Sequence, residues 1–138
     1  MGIYVDSNII IFHLISDRKF GRLAKSFLKK VGKGEIRAFS SIYTLVEIYA
    51  TLKHAFRIGE KRIGEVLEAV TLFGIEFLEL DLGVIRDAIE IMKRNEMKFG
   101  DAIHIATMKR NGISVILSHD KDFDKVKGVK RVTLMEMK

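Results

Sequence analysis

The sequence contains no cysteine and no proline, and none of its apolar runs approaches the ~20 residues that a membrane-spanning helix requires. The missing cysteine excludes disulfide frameworks, thiolate zinc sites and cysteine nucleophiles, leaving carboxylates, histidines and hydroxyls to carry any chemistry. The missing proline, where average usage of ~5% gives about seven, lets helices run uninterrupted and puts turns on glycine, asparagine and aspartate. The first residues, MGIYVDSNII, lack the basic region of a signal peptide, and the position four after Gly2 is Asp6 rather than the Ser or Thr of a myristoylation signal. Cytoplasm is the expected compartment. What is present is a globular composition, 48% hydrophobic and 30% charged, in 138 residues: the size of one domain (1–138) with a core large enough to need no staples. The formal charge of +6 suits a polyanion partner such as nucleic acid, or reflects solubility alone.

Neither repeats nor a linker interrupts the chain; short β-forming runs alternate with helical segments. The expected strands are Ile3-Tyr4-Val5, Ile36 to Phe39, Ile75 to Leu80, Ser114 to Ser118 and Val132 to Met135. Between them lie helices expected at about Ser7–Ile15, Arg18–Val31, Ile42–Phe56, Lys61–Phe73, Leu82–Asn95 and Asp101–Arg110. Strands separated by helices of ten or more residues give an α/β fold with a parallel sheet and right-handed crossovers. An α+β fold is disfavoured by the absence of an Asn-Gly or Asp-Gly hairpin between strands.

Most of the 18 acids, including Glu60, Glu65, Glu68, Asp87, Glu90 and Glu96, sit at helical spacing among polar residues and read as solvated faces. Four do not. Asp6 ends the first strand, Glu47 lies within Leu45-Val46-Glu47-Ile48-Tyr49, Asp101 opens Asp101-Ala102-Ile103-His104-Ile105-Ala106, and Asp120 follows a strand, with Asp122 close behind. A carboxylate at a core boundary is costly unless bonded, paired or coordinating a cation. Each has an ordinary alternative: Asp6 and Asp101 as helix caps, Asp120 and Asp122 as turn formers, Glu47 as a partner of a lysine. In an open parallel sheet, ligands bind beyond the carboxyl ends of the strands, where Asp6 and Asp120 fall. Four carboxylates gathered there would raise one another's pKa unless a cation offset the charge. Oxygen ligands without thiols suit Mg²⁺ or Mn²⁺, and an acidic metal pocket in a basic protein suits phosphodiester hydrolysis.

Together, Tyr4-Val5-Asp6-Ser7-Asn8, Glu47, Asp101 to Ala106 and Leu117-Ser118-His119-Asp120-Lys121-Asp122-Phe123 resemble the PIN-domain ribonucleases, especially the small VapC-type toxins. The pieces occur in the family's order and span essentially the whole chain. The resemblance implies a three-layer α/β/α domain with strand order 3-2-1-4-5 and metal-dependent hydrolysis of RNA to 5′-phosphate and 3′-hydroxyl ends. It also implies an acidic set of Asp6, Glu47, Asp101 and Asp120 with Asp122 auxiliary, Ser118 orienting water or a carboxylate, and Asn8 holding Asp6 or touching substrate. An RNA substrate, a cognate antitoxin and a homodimer through the third and fourth helices are the expected partners. His119 falls at a variable position and receives no role. His104, one turn beyond Asp101, reads as a satisfied core-edge histidine before a ligand. Two alternatives remain open: a PIN-like module that binds RNA or protein without cutting, and a haloacid-dehalogenase-like phosphatase, the latter lacking a second aspartate at Asn8.

Overall fold

The computed structural model describes residues 2–138. Five parallel strands form one sheet in the order β3-β2-β1-β4-β5: β1 (Ile3–Val5), β2 (Ala38–Ser41), β3 (Glu76–Leu78), β4 (Val115–Leu117) and β5 (Lys130–Val132). Six helices connect the first four, α1 (Ser7–Leu14), α2 (Gly21–Gly32), α3 (Ile42–His54), α4 (Glu60–Val70), α5 (Leu82–Asn95) and α6 (Phe99–Arg110), and a 3₁₀ turn over Lys121–Lys125 leads from β4 to β5. The alternation of side chains along the strands builds the three layers. Ile3, Val5, Ala38 and Leu117 pack into the core shared with α1 to α4. Tyr4, Phe39 and Ile116, one residue out of phase, pack into the core formed with α5 and α6.

Local propensity yields to this packing in α1. Ile9, Ile10 and Ile11 are β-branched and poor helix formers, yet all three are buried helical residues, because the crossover from β1 must lay an apolar face on the sheet. β3 and β4 are each shorter at both ends than the sequence expectation, and two other strands are displaced from it. The second begins two residues later than Ile36, at Ala38, because register with β1 pairs Ile3 with Ala38 and Tyr4 with Phe39. Ser40 and Ser41 thereby enter the sheet, and Ser41 also caps α3 by accepting from the Tyr43 amide at 2.9 Å. The last strand is Lys130–Val132 rather than Val132 to Met135. Thr133 stops it with a capping box to Glu136, and a 3₁₀ turn over Leu134–Met137 buries Leu134 instead.

The sheet order places the site. Chain connections run outward from β1 on one side and β4 on the other, so the crevice opens where these two central strands meet. Val5 pairs with Leu117, and the Asp6 amide donates to the Leu117 carbonyl at 3.1 Å. Asp6 and Ser118 therefore leave the sheet side by side.

Candidate active site

Asp6 occupies the N-cap position of α1, but its side chain makes no cap hydrogen bond. Its carboxylate turns to the crevice, accepting from the Ser118 hydroxyl at 2.7 Å and the Ser7 hydroxyl at 3.4 Å. The same Ser118 oxygen accepts from the Asp120 amide at 3.0 Å, so one hydroxyl ties the ends of the two central strands together. Asn8 is exposed and makes no side-chain hydrogen bond to Asp6 among the described residues; the two serines do the holding.

Asp120 caps a 3₁₀ turn over Lys121–Lys125 by accepting from the Asp122 amide at 2.9 Å, the turn-forming role its residue type allows. One carboxylate oxygen is so engaged, and Asp120, Asp122 and Asp101 present ligand oxygens within 4.8 Å of one another. Arg131 braces this loop, donating to the Ser118 carbonyl at 3.2 Å and gripping Asp124 at 3.0 and 3.1 Å.

Asp101 does not cap its helix. Lys98 holds the cap position, and Asp101 sits in the first turn of α6, where the amide dipoles favour an anion. Its Oδ2 is buried and has no hydrogen-bond partner among the described residues. Such an oxygen is rare in folded proteins and calls for an ion or a proton. Burial, then the charges of Asp120 and Asp6, push the Asp101 carboxyl up to about 6. Asp6 is likewise raised, first by burial and further by Glu47 and Asp120, against the lowering effects of His104 and the Ser118 hydrogen bond. The four acids that stand apart in the sequence thus feel one another's charge in one crevice.

Glu47 is paired with a histidine, not with a lysine. His104, fully buried on α6, meets Glu47 Oε1 through Nε2 at 2.5 Å and the Tyr4 hydroxyl through Nδ1 at 2.6 Å. The imidazole is satisfied on both sides, as read from the sequence, but its partners tie β1, α3 and α6 together behind the acids. Burial pulls the His104 pKa down, yet the hydrogen bond and charge of Glu47, with Asp6 and Asp101, carry it above the usual histidine value. Burial, then the charges of Asp6 and Glu47, raise the Tyr4 phenol well above its ordinary range. Asp6, Glu47 and His104 offer a second group of ligand atoms within 4.8 Å. Gly100 leaves the room Glu47 needs, since a methyl there would lie 3.1 Å from Glu47 Oε2 and 3.4 Å from Tyr43.

Tyr4 and the Ser40–Thr44 hydroxyl pair behind it escaped the sequence reading. A tyrosine in a strand looks like core, and only its place opposite His104 across the layers reveals a hydrogen-bonding role. For a divalent cation the donor set fits: hard carboxylate oxygens, one of them orphaned, at the junction of four elements whose mutual repulsion a cation relieves.

Comparison with known proteins agrees with this geometry. Residues 3–129 match the family model described as PIN domain, and the chain belongs to that family. Among characterised relatives, Ribonuclease VapC2 of Methanocaldococcus jannaschii is 28% identical over 137 residues, covering 90% of this chain and 88% of the relative. Among solved structures, Mycobacterium tuberculosis VapC20, described as a Sarcin-Ricin loop cleaving toxin, superposes with a TM-score of 0.72 at 21% identity, covering 89% of this chain and 93% of that one. A DNA-bound VapBC from Salmonella typhimurium gives a TM-score of 0.71 at 18% identity, covering 97% and 98%. The strand order and layers are those the family resemblance implied. The dehalogenase-like alternative is set aside by the family match.

Proposed function

We propose that the protein is a divalent-metal-dependent endoribonuclease acting on single-stranded RNA, of the kind that serves as the toxin of a toxin–antitoxin pair. One observation carries the reading: Asp6, Glu47, Asp101 and Asp120 converge at the carboxyl edge of β1 and β4, with Asp101 Oδ2 buried and unpartnered. The name of the Methanocaldococcus relative supports the chemistry.

In this reading Asp6, Glu47, Asp101 and Asp120 hold Mg²⁺ or Mn²⁺, with Asp122 as an auxiliary acid. A bound divalent ion supplies Lewis-acid polarisation of the scissile phosphate and lowers the pKa of the attacking water. The chain's own residues do the rest. Ser118 fixes the Asp6 carboxylate and the Asp120 backbone, so the two acids on neighbouring strands keep their separation. His104 and Tyr4 hold Glu47 against α6 and keep water out of the space behind it. Asn8, exposed at the start of α1, would touch substrate. A cognate antitoxin is the proposed protein partner, in keeping with the VapBC complexes that share the fold. A homodimer is proposed through the exposed apolar residues Ile42 and Val46 of α3. The cytoplasm, where RNA is available, is the proposed place of action.

Purified protein should cut single-stranded RNA in Mn²⁺ or Mg²⁺ and stop in chelator, while Asp6→Asn and Asp101→Asn lose at least about a hundredfold in rate. Full activity in either variant would overturn the assignment. Tight RNA binding without products at any divalent concentration would mark a binding module instead.

A further inference from the structure

The net charge of the chain is not spread over its surface. Residues 17–33 hold seven of the 24 cationic side chains and one of the 18 acids, leaving seventeen of each sign in the rest of the sequence. The whole excess of +6 therefore lies on α2 and its flanks. Among the described residues none of these seven cations takes part in a salt bridge, whereas Arg37, Lys53, Arg62, Lys93, Arg110, Lys125 and Arg131 elsewhere do. Unpaired cations on one helix face raise the local potential more than the same number interspersed with acids.

This face leads to the acids. Lys19 Nζ lies 5.2 Å from the centre of the Phe20 ring, and that ring lies 4.2 Å from His119, the residue before Asp120. From there a 460 Å³ groove follows α2, lined by Arg18, Arg22, Lys25 and His13 and by one acid, Asp17, whose carboxylate accepts from the Lys19 and Phe20 amides. It continues into a 190 Å³ recess where Lys25 and Lys29 flank His13 and Phe73, whose rings meet edge to face at 5.7 Å. Twelve helical residues span about 18 Å at 1.5 Å per residue, long enough for several nucleotides.

We propose that the α2 groove is a track for the sugar-phosphate backbone of single-stranded RNA. It leads from the acidic centre past Lys19, Arg22 and Lys25 to a base-stacking seat at His13 and Phe73. The proposal takes its ligand class from the nuclease reading and adds where on the molecule the strand lies. Cations along a groove with aromatic rings at its end are the elements of single-strand recognition: charge follows the backbone, and ring faces accept any base. The arrangement also separates two tasks within one molecule, since the acidic crevice repels phosphates unless a cation is bound, and α2 holds the strand without one.

The test uses the full chain in excess chelator, so that binding is measured without cleavage, with a fluorescein-labelled oligouridine of about twenty nucleotides as probe. The double variant Arg22→Glu/Lys25→Glu should weaken binding about tenfold or more at low salt. It should also flatten the dependence of log K on log salt by about 0.7 for each phosphate that the protein no longer neutralises. Arg86→Glu/Arg94→Glu, the same charge change placed on α5 away from the groove, controls for net charge and should change affinity less than about threefold. The proposal is overturned if the α2 double variant binds no more weakly than this α5 control. It is overturned equally if polyglutamate competes for the groove as well as RNA does. Cleavage by protein whose binding ignores the double variant would leave the nuclease standing and remove the track. An α2-dependent complex that never yields products would keep the track and remove the nuclease.

Discussion

At Asp101 the physical cost of the site is concentrated in a single side chain. Its carboxyl, raised from 3.8 to about 6, binds its proton more tightly in the folded protein than in the unfolded chain. A group shifted in this direction contributes stability that is fully present below the unfolded pKa and is lost as pH rises through the folded one. His104, also raised, acts with the same sign at higher pH. Metal-free protein should therefore lose thermal stability between about pH 4 and 7. The Asp101 share is about 1 kcal/mol once solvent screening of a half-exposed group is allowed for. Thermal melts of Asp101→Asn in chelator should show a shallower decline over that interval; an equal slope would contradict the assignment of the charge burden to Asp101. His104 gives a second test. Replacing it with leucine strands the buried Tyr4 hydroxyl and leaves the partly exposed Glu47 carboxylate to water, at a cost of about 1–3 kcal/mol. Denaturant unfolding should show that loss, with His104→Gln recovering part of it through a donor to Glu47.

The same residues show how much of the site could be read from sequence. Asp6, Glu47, Asp101 and Asp120 stood out because apolar neighbours made them expensive, a local signal. Tyr4 gave none, because its importance comes from a partner a hundred positions away on another layer. Asn8 looked like a support for Asp6, but the α-helical turn points it outward and leaves the work to serines.

At the scale of elements, boundaries were legible where a side chain marks them. Helix α5 was expected at Leu82–Asn95 and is observed there, since Asp81 accepts from the Val84 amide at 2.9 Å and defines its start. Removing that cap as Asp81→Ala should cost about 1 kcal/mol in unfolding free energy while leaving divalent-ion affinity unchanged. Boundaries set by pairing were less legible: β2 and β5 start where register with β1 and β4 allows, and neither register is written in local composition. Loop bracing behaves likewise. Arg131, on β5, reaches across to the Ser118 carbonyl and to Asp124. Arg131→Ala should loosen the segment carrying Asp120, visible as faster amide exchange over residues 118–125 with the sheet core unchanged. Exchange confined to wild-type rates would show that the loop holds without it.

On the scale of the whole molecule, the sheet order decides what the sequence pattern could only suggest. Putting β1 beside β4 gathers carboxylates from positions 6, 47, 101 and 120 into one crevice, and putting α2 on the flank leaves the unbalanced cations next to it. A strongly acidic site and a strongly basic face thus coexist in a protein whose charges outside that face, the acids of the site included, cancel. The alternation of strands and helices made the α/β class legible; the sheet order came through the family resemblance, because nothing in composition says which strands are neighbours.

The claim on which the nuclease reading turns is that these carboxylates share a divalent ion, and calorimetric titration of metal-free protein with Mn²⁺ near neutral pH measures it directly. Saturable binding by the wild type is expected, accompanied by a rise in melting temperature, with loss of both in Asp6→Asn and Asp101→Asn. Wild-type protein that takes up no ion, or an Asp101→Asn variant that binds as tightly as the wild type, would contradict it.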